Sequence, residues 1–146
     1  MLHNDTHILL GMKKRGFATG KWNGYGGKLM KGETVDQAAV RELEEESGIV
    51  MKELNKRGIL TFIMDGIDET WDCHVYAVND FRGEAVETEE MRPQWFKLDE
   101  IPFHLMWTDD KLWLPMLLAG KKFKGTFRFK DNDAMLEHEL NEVSEL

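Results

Sequence analysis

Disulfide bonds within the chain are excluded, because Cys73 is its single cysteine among 146 residues. That scarcity points to a reducing compartment, with the cytosol as the default. No apolar run approaches the roughly 18 residues needed to span a bilayer. The start carries neither the apolar core of a secretory signal nor an Arg-rich transit pattern. Prolines number only three, and Pro/Ser-rich, repetitive or low-complexity stretches are missing. The chain therefore reads as one domain over residues 1–146, large enough for a real core. Basic residues are in deficit, 19 Lys and Arg against 27 Asp and Glu, for a net charge of −8. This disfavours gripping a long nucleic-acid backbone. It leaves room for a small nucleotide, whose phosphates bound cations can neutralise. The five histidines (His3, His7, His74, His104, His138) lack metal-ligand spacing and read as ordinary surface or core residues. What remains, 42% hydrophobic and 32% charged, describes an ordinary soluble globule.

Against this background residues 27–49, GKLMKGETVDQAAVRELEEESGI, stand out. Thr34 and Asp36 open a run of good helix formers and Gly48 closes it, predicting a helix over about 34–47. On that helix Ala39, Val40 and Leu43 share one side and can face a core. Glu42, Glu45 and Glu46 fall at i, i+3 and i+4 on a neighbouring face, while Glu44 points to solvent. Like charges so placed repel by roughly 0.2–0.5 kcal/mol per pair. A divalent cation turns that penalty into an advantage, and hard carboxylate oxygens suit Mg²⁺, with Mn²⁺ as a substitute. An isolated acidic run is more often a solvated helix face. Here Gly27, Glu33, Arg41 and Gly48 would all have to coincide with it by chance. The preceding loop, Gly24-Tyr25-Gly26-Gly27-Lys28, lets backbone approach a phosphate or metal, although alone it is equally a tight turn. Lys13, Lys14, Arg15, Lys21 and Lys28 form a basic cluster ahead of the helix. They are either solvated loop charges or phosphate contacts, the second reading being strongest for Lys13 and Lys28.

Elsewhere the pattern predicts strands at 7–12, 58–64, 71–78 and 94–98, with Asp65-Gly66 as a turn and 80–92 as acidic loop. A helix is expected over 109–119, with Pro115 kinking it or limiting its first turns. Alternating Phe123, Phe127 and Phe129 predict a half-buried strand. Asp131-Asn132-Asp133 should turn it into a final strand near 134–141. The expected class is α/β, a mixed sheet sandwiched between helices.

Every fixed position of the Nudix signature is filled at its spacing. After Gly27 come five residues to Glu33, then seven to Arg41-Glu42-Leu43-Glu44-Glu45-Glu46-Ser47-Gly48-Ile49. The chain thus resembles the Nudix family, whose fold is a mixed sheet between helices and whose members cleave nucleoside diphosphates linked to another group. LLGMKKRGF (9–17), KWNGYGGK (21–28), EMRPQWF (90–96), IPFHLMW (101–107) and DDKLWLPMLL (109–118) resemble the family's animal MutT-homologue branch. The likeness runs from about Ile8 to the end of the chain.

The resemblance implies Mg²⁺-dependent hydrolysis of oxidised purine nucleoside triphosphates, such as 8-oxo-dGTP and 2-oxo-dATP, to monophosphate and pyrophosphate. This would sanitise the nucleotide pool. It places the metal on Glu42, Glu45 and Glu46, with the Gly26 carbonyl and with Glu90 as a further ligand or base. Arg41 would orient a box carboxylate through a bidentate pair. Lys13, Gly26, Gly27 and Lys28 would face the phosphates, with Tyr25 also contacting substrate. Asn23, Trp107, Asp109 and Asp110 would form the base pocket, with Phe17 and Phe62 as walls. Trp107 offers a face on which a purine can stack, and Asn23 both a donor and an acceptor. Adjacent carboxylates do not both ionise easily, so a shared proton could match two oxidised bases.

The residues alone leave other readings open. Asp109-Asp110 is equally a helix N-cap pair. Trp107, Trp113, Phe17 and Phe62 are credible core aromatics, Trp113 most of all. The resemblance lapses at Met1–Thr6, which does not reproduce the family's ligand-contacting first strand, and at Met64 and Trp71 near the base. A second reading keeps the box but takes ADP-ribose, dinucleoside polyphosphates or capped RNA. A third is a non-catalytic nucleotide-binding module, which a complete set of box carboxylates argues against. Nothing calls for an oligomer, so a monomer is expected.

Overall fold

The computed structural model describes residues 1–27, 30–130 and 134–146. In chain order the elements are β1 (Leu2–His3), β2 (His7–Lys13), β3 (Trp22–Asn23), α1 (Val35–Ser47), β4 (Val50–Met51), β5 (Asn55–Met64) and β6 (Thr70–Ala77). There follow β7 (Phe81–Arg82), β8 (Met91–Lys97), a 3-10 turn at Phe103–Leu105, α2 (Asp110–Leu118), β9 (Lys122–Phe129) and β10 (Met135–Val143). They gather into two compact units: Met1–Leu54 with Val78–Leu105, and Asn55–Ala77 with Met106–Leu146.

The first unit is built around β2, whose apolar run Ile8-Leu9-Leu10 is wholly buried. One edge of β2 pairs antiparallel with β8 along its whole length. The other edge is shared, with β1 opposite Ile8 and Leu9 and β3 opposite Gly11 and Met12. The expected loop at 80–92 instead contains β7, which pairs antiparallel with β4, and the start of β8. Leu43 from α1 joins Leu2, Leu9, Ile49 and Val78 in one core cluster, with Tyr25, Met51, Phe81 and Ala85 packed against it.

The second unit is a four-stranded mixed sheet in the order β10-β9-β5-β6. Its β5–β9 pair is parallel and the other pairs are antiparallel. Gly58 stands opposite Phe123 in the parallel ladder, where a Cβ would collide with the phenylalanine ring. Phe123, Phe127 and Phe129 are buried as their alternation predicts. Phe62 stacks on Phe127 at 5.8 Å, and Phe127 on His138 at 5.9 Å, so neighbouring strands are joined by one ring column. α2 packs on β9 through Trp113, whose ring lies 5.9 Å from that of Phe123. Pro115 sits inside α2 without preventing it. The β9–β10 hairpin forms, while the expected turn at 131–133 lies outside the described residues. Among the described residues no helix is long and apolar enough to cross a membrane.

Candidate functional site

Capping fixes where α1 begins and ends. The Thr34 side chain accepts from the Gln37 amide while Gln37 returns a bond to the Thr34 amide, a reciprocal capping box. Gly48 closes the helix at φ 80°, its N–H donating to the Glu44 carbonyl. The buried positions are Ala38, Leu43, Glu46 and Ser47. Val40, expected in the core, is instead 36% exposed. The inward stripe of α1 runs from Ala38 through Leu43 and carries a carboxylate with it into the interior.

That carboxylate is Glu46, only 8% exposed. Its Oε1 accepts the Gly26 amide at 2.9 Å. Burial pushes its pKa up to about 7; the Gly26 bond opposes the rise, the Glu42 and Glu90 charges add to it and the Lys13 charge offsets part. Glu46 therefore feels the charges of two neighbouring carboxylates that are themselves paired with cations. Glu42 lies against the backbone of Gly27, where an added Cβ would displace the carboxylate from its present position.

Arg41 organises the rest of the box. Its Nε and Nη2 donate to the two oxygens of Glu33 at 2.6 and 3.0 Å, while Nη1 donates to Glu42 at 2.6 Å and Glu45 at 3.0 Å. The bidentate partner is thus Glu33, and one guanidinium holds three box carboxylates. The Arg41 hydrogen bond holds Glu33 below the usual carboxylate range, helped by the Met30 amide. Glu45 remains mostly exposed.

The basic segment of β2 and its following loop is neither simply solvated nor open toward phosphate. Lys13 Nζ pairs with Glu90 at 2.8 Å, Lys14 with Glu87 at 2.6 Å, and Arg15 with Glu89 at 3.2 Å and Glu90 at 3.1 Å. Hydrogen bonds from Lys13 and then Arg15 hold Glu90 well below the usual carboxylate range. A carboxylate so stabilised is a weak base and a ready charged ligand. Lys28 lies outside the described residues.

Sequence reasoning missed the tie between this acidic segment and the helix. Thr88 Oγ1 donates to the Glu46 carbonyl at 3.2 Å and accepts the amides of Glu90 and Met91 at 3.3 and 3.2 Å. Ser47, fully buried, donates from Oγ to the Leu43 carbonyl at 2.6 Å and accepts the Ile49 amide at 3.2 Å. The run Thr88-Glu89-Glu90 could have hinted at such an anchor, since threonine readily bonds nearby amides. Nothing local named Glu46 as its partner.

Among the described residues, no three His, Cys, Asp or Glu side chains converge closely enough to hold a metal ion. The donor chemistry nevertheless fits one. Glu42 and Glu45 are drawn toward Arg41 and Glu90 toward Lys13, while the buried Glu46 is short of positive charge.

The remaining expected residues fall in both units. In the first unit, Asn23 on β3 donates from Nδ2 to the Lys21 carbonyl at 2.8 Å. Phe17 is 72% exposed on the loop after β2, which removes the alternative that it is a core residue. Tyr25 is half-buried, and burial and then the Glu46 charge push its phenol pKa up.

In the second unit, Asp109 and Asp110 are buried at 3% and 7% exposure. Asp109 stands at the N-cap position of α2 and Asp110 in its first turn, as the cap alternative expects, but the Asp109 backbone is already helical, at φ −74° and ψ −26°, and its side chain makes no capping bond. Asp109 Oδ2 instead accepts the Trp113 indole N–H at 2.8 Å. Trp113 is the core aromatic expected of it, while Trp107 and Phe62 are half-buried.

Three comparisons bear on this arrangement. Residues 1–117 match the NUDIX domain family, a stretch that runs through both units. The chain is 52% identical over 139 residues to the oxidized purine nucleoside triphosphate hydrolase of Danio rerio, covering 95% of this chain and 89% of that one. Against the Mus musculus protein of the same name it is 51% identical over 136 residues, 93% and 87% of the two chains. Among solved structures it is similar to the MutT protein from Bacillus halodurans, with a TM-score of 0.83, 29% identity, and 97% and 92% coverage.

Proposed function

The chain belongs to the Nudix domain family, and from that premise we propose that it hydrolyses oxidised purine nucleoside triphosphates to monophosphate and pyrophosphate with Mg²⁺. One observation carries the hydrolytic half of this reading. A buried glutamate, Glu46, is steadied by a backbone amide and feels two further carboxylates, with its pKa pushed up to about 7. The purine half is supported by the relatives in zebrafish and mouse that bear that activity in their names.

Glu42, Glu45, Glu46 and Glu90 would hold the cation, with the Gly26 carbonyl assisting. When bound, Mg²⁺ supplies charge stabilisation at the phosphoryl oxygens and a more acidic water. Arg41 keeps Glu42 and Glu45 oriented from behind, as an outer partner of ligating carboxylates does. A carboxylate not engaged by the cation would take the proton from attacking water, and Glu46, buried and held by the Gly26 amide, is the first to substitute. Lys13, which the structure pairs with Glu90, would be the cation available to the substrate phosphates. Gly26, Gly27 and Lys28 would serve the phosphates, and Tyr25 would contact substrate. Asn23, Trp107, Asp109 and Asp110, with Phe17 and Phe62, are the residues for base recognition. Asp109 and Asp110 supply buried acceptors or a shared proton, and Trp107 a stacking face. We take the enzyme to work as a cytosolic monomer on free nucleotides.

Pyrophosphate release with Mg²⁺ from 8-oxo-dGTP, 2-oxo-dATP, dGTP and ADP-ribose, measured side by side, tests the proposal. Strong preference for the two oxidised purines over dGTP is expected. Activity that is flat, or that favours ADP-ribose, would keep the box chemistry and sink the base assignment.

A further inference from the structure

Carbonyls in the last turn of a helix have no partner within it, and in α1 two of them are met from one neighbouring segment. The Val86 amide donates to the Ser47 carbonyl at 2.9 Å. Thr88 Oγ1 donates to the Glu46 carbonyl at 3.2 Å. The same hydroxyl accepts the amides of Glu90 and Met91 at 3.3 and 3.2 Å. A hydroxyl has one proton to give and two lone pairs to receive with. Thr88 therefore uses its full capacity, and the directions are forced, since a carbonyl only accepts and an amide N–H only donates.

The residues so joined are two that the scheme above gives to the cation. One oxygen atom refers the backbone of Glu90 to the backbone of Glu46. Glu90 is also held from β2, its carbonyl accepting the Lys14 amide at 2.8 Å just past the end of that strand. The peptide groups on both sides of Glu90 are thus fixed, and of these bonds only those through Thr88 lead to α1. The main chain closes the same turn by itself, the Thr88 amide donating to the Met91 carbonyl at 3.0 Å. The turn therefore has a bond of its own, and what the hydroxyl adds is the link to Glu46. The Glu90 side chain is well exposed, so packing does little to place it.

We infer that Thr88 is a positioning residue for Glu90, its hydroxyl setting the backbone of that carboxylate at a fixed offset from Glu46 so that both can serve one cation. The inference rests on the reading of Glu46 and Glu90 as cation ligands. Arg41 orients Glu42 and Glu45 from within the helix, and Thr88 does the corresponding work between the helix and a separate segment. Loss of such an outer tie costs about 10–100-fold in metal affinity where the ligands depend on it.

The test is Thr88→Val, which keeps the shape and removes the hydroxyl, beside Thr88→Ser, which keeps the hydroxyl, and Glu90→Gln. Thr88→Ala takes the place of Thr88→Val if the latter does not fold, which thermal unfolding without metal decides. Mn²⁺ is titrated into each nucleotide-free protein, and turnover of the preferred substrate is followed against Mg²⁺ concentration. In Thr88→Val, Mn²⁺ binding should weaken about tenfold, and turnover at limiting Mg²⁺ should fall by a similar factor and be regained as Mg²⁺ rises. Its nucleotide KM at saturating Mg²⁺ should match the parent's. Thr88→Ser should bind Mn²⁺ as the parent does. In the Glu90→Gln background, Thr88→Val should cost no further affinity. A lowered unfolding midpoint with parental Mn²⁺ affinity would overturn the inference and leave the hydroxyl a brace for the turn. An undiminished loss in the Glu90→Gln background would overturn it too, since Thr88 would then act by another route. Parental Mn²⁺ affinity in Glu90→Gln itself would overturn the reading of Glu90 as a ligand and the inference with it, so the two failures show in different proteins.

Discussion

Two sets of carboxylates in this chain meet their environment in opposite ways. The first unit answers its acidic groups with cations: Arg41 spans Glu33, Glu42 and Glu45, and Lys13, Lys14 and Arg15 answer Glu87, Glu89 and Glu90. The second unit buries Asp109 and Asp110, and Asp109 takes the Trp113 indole N–H. A cation-rich cluster is tuned for charge and exchange of ligands, whereas a dry pair meeting a neutral donor is suited to reading hydrogen-bonding edges. Glu46 belongs to the first set by position and resembles the second by burial, which makes it the residue on which the distinction turns.

The largest effect is therefore expected at Glu46. Glu46→Gln keeps an oxygen for the Gly26 amide and removes the charge. If Glu46 takes the water proton, kcat should fall by roughly 10²–10⁴. Stability should move the other way. The folded pKa of Glu46, about 7, lies above its unfolded value. Its native-state contribution is thus fully favourable below about pH 4.5 and is lost as pH rises through about 7. Without metal at pH 8, the Gln variant should be more stable than the parent by about 2 kcal/mol, after discounting for residual solvent screening. Below about pH 4 the two should converge. Urea unfolding at both pH values, with kinetics alongside, checks both halves; parent-like turnover would break the assignment.

Next comes the organiser of the charged set. Arg41→Lys preserves the charge and loses the fork that grips Glu33 at both oxygens while reaching Glu42 and Glu45. A fall of about 10–100-fold in kcat/KM is expected, with a parallel loss of Mn²⁺ affinity. A lysine variant of parental activity would mean that charge alone suffices.

How much of this contrast was legible in the sequence depends on the range of the interaction. α1 was readable end to end, because Thr34, Gln37 and Gly48 act on their own neighbours. The alternating phenylalanines of β9 were readable for the same reason. Val40 was misplaced because the stripe was traced through hydrophobic residues, while the helix turns inward at Ala38, Glu46 and Ser47. The partners of Lys13 and Thr88 lie 77 and 42 positions away, beyond any periodicity. Asp109 was ambiguous because a cap and a buried acceptor need the same side chain. Asp109 does stand at the N-cap, and only the bond from Trp113 in place of a capping bond shows which use its side chain is put to.

A smaller change probes the dry pair. Trp113→Phe keeps much of the packing on Phe123 and removes the indole donor that Asp109 accepts. The expected cost is about 1–3 kcal/mol, the penalty for a buried acceptor losing a donor. Asp109→Asn retains an acceptor oxygen and should cost less, and the double variant should cost less than the sum of the two. Chemical unfolding of the three proteins measures this. Additive costs would show that the indole bond contributes nothing specific and that the pair is held by packing alone.

The smallest effect is expected where a carboxylate is both exposed and cation-paired. Glu87 receives Lys14 at 2.6 Å, and that hydrogen bond holds it below the usual carboxylate range, yet both side chains are substantially open to solvent. Water and salt screen such a pair, and ordering two long side chains offsets most of what attraction remains. Lys14 also donates to the Thr88 carbonyl at 2.9 Å, so the segment keeps one tether when the carboxylate is neutralised. Glu87→Gln should leave the unfolding midpoint near neutral pH within error of the parent. Its one signature is direction with pH. A depressed folded pKa gives stability that is present above the unfolded value and lost as pH falls through the folded one, so any small deficit of the variant should vanish in acid. A large deficit at neutral pH that survives high salt would mean that exposure does not decide what an ion pair contributes here. The division between a screened, exchangeable cluster and a dry, fixed pair would then have to be redrawn.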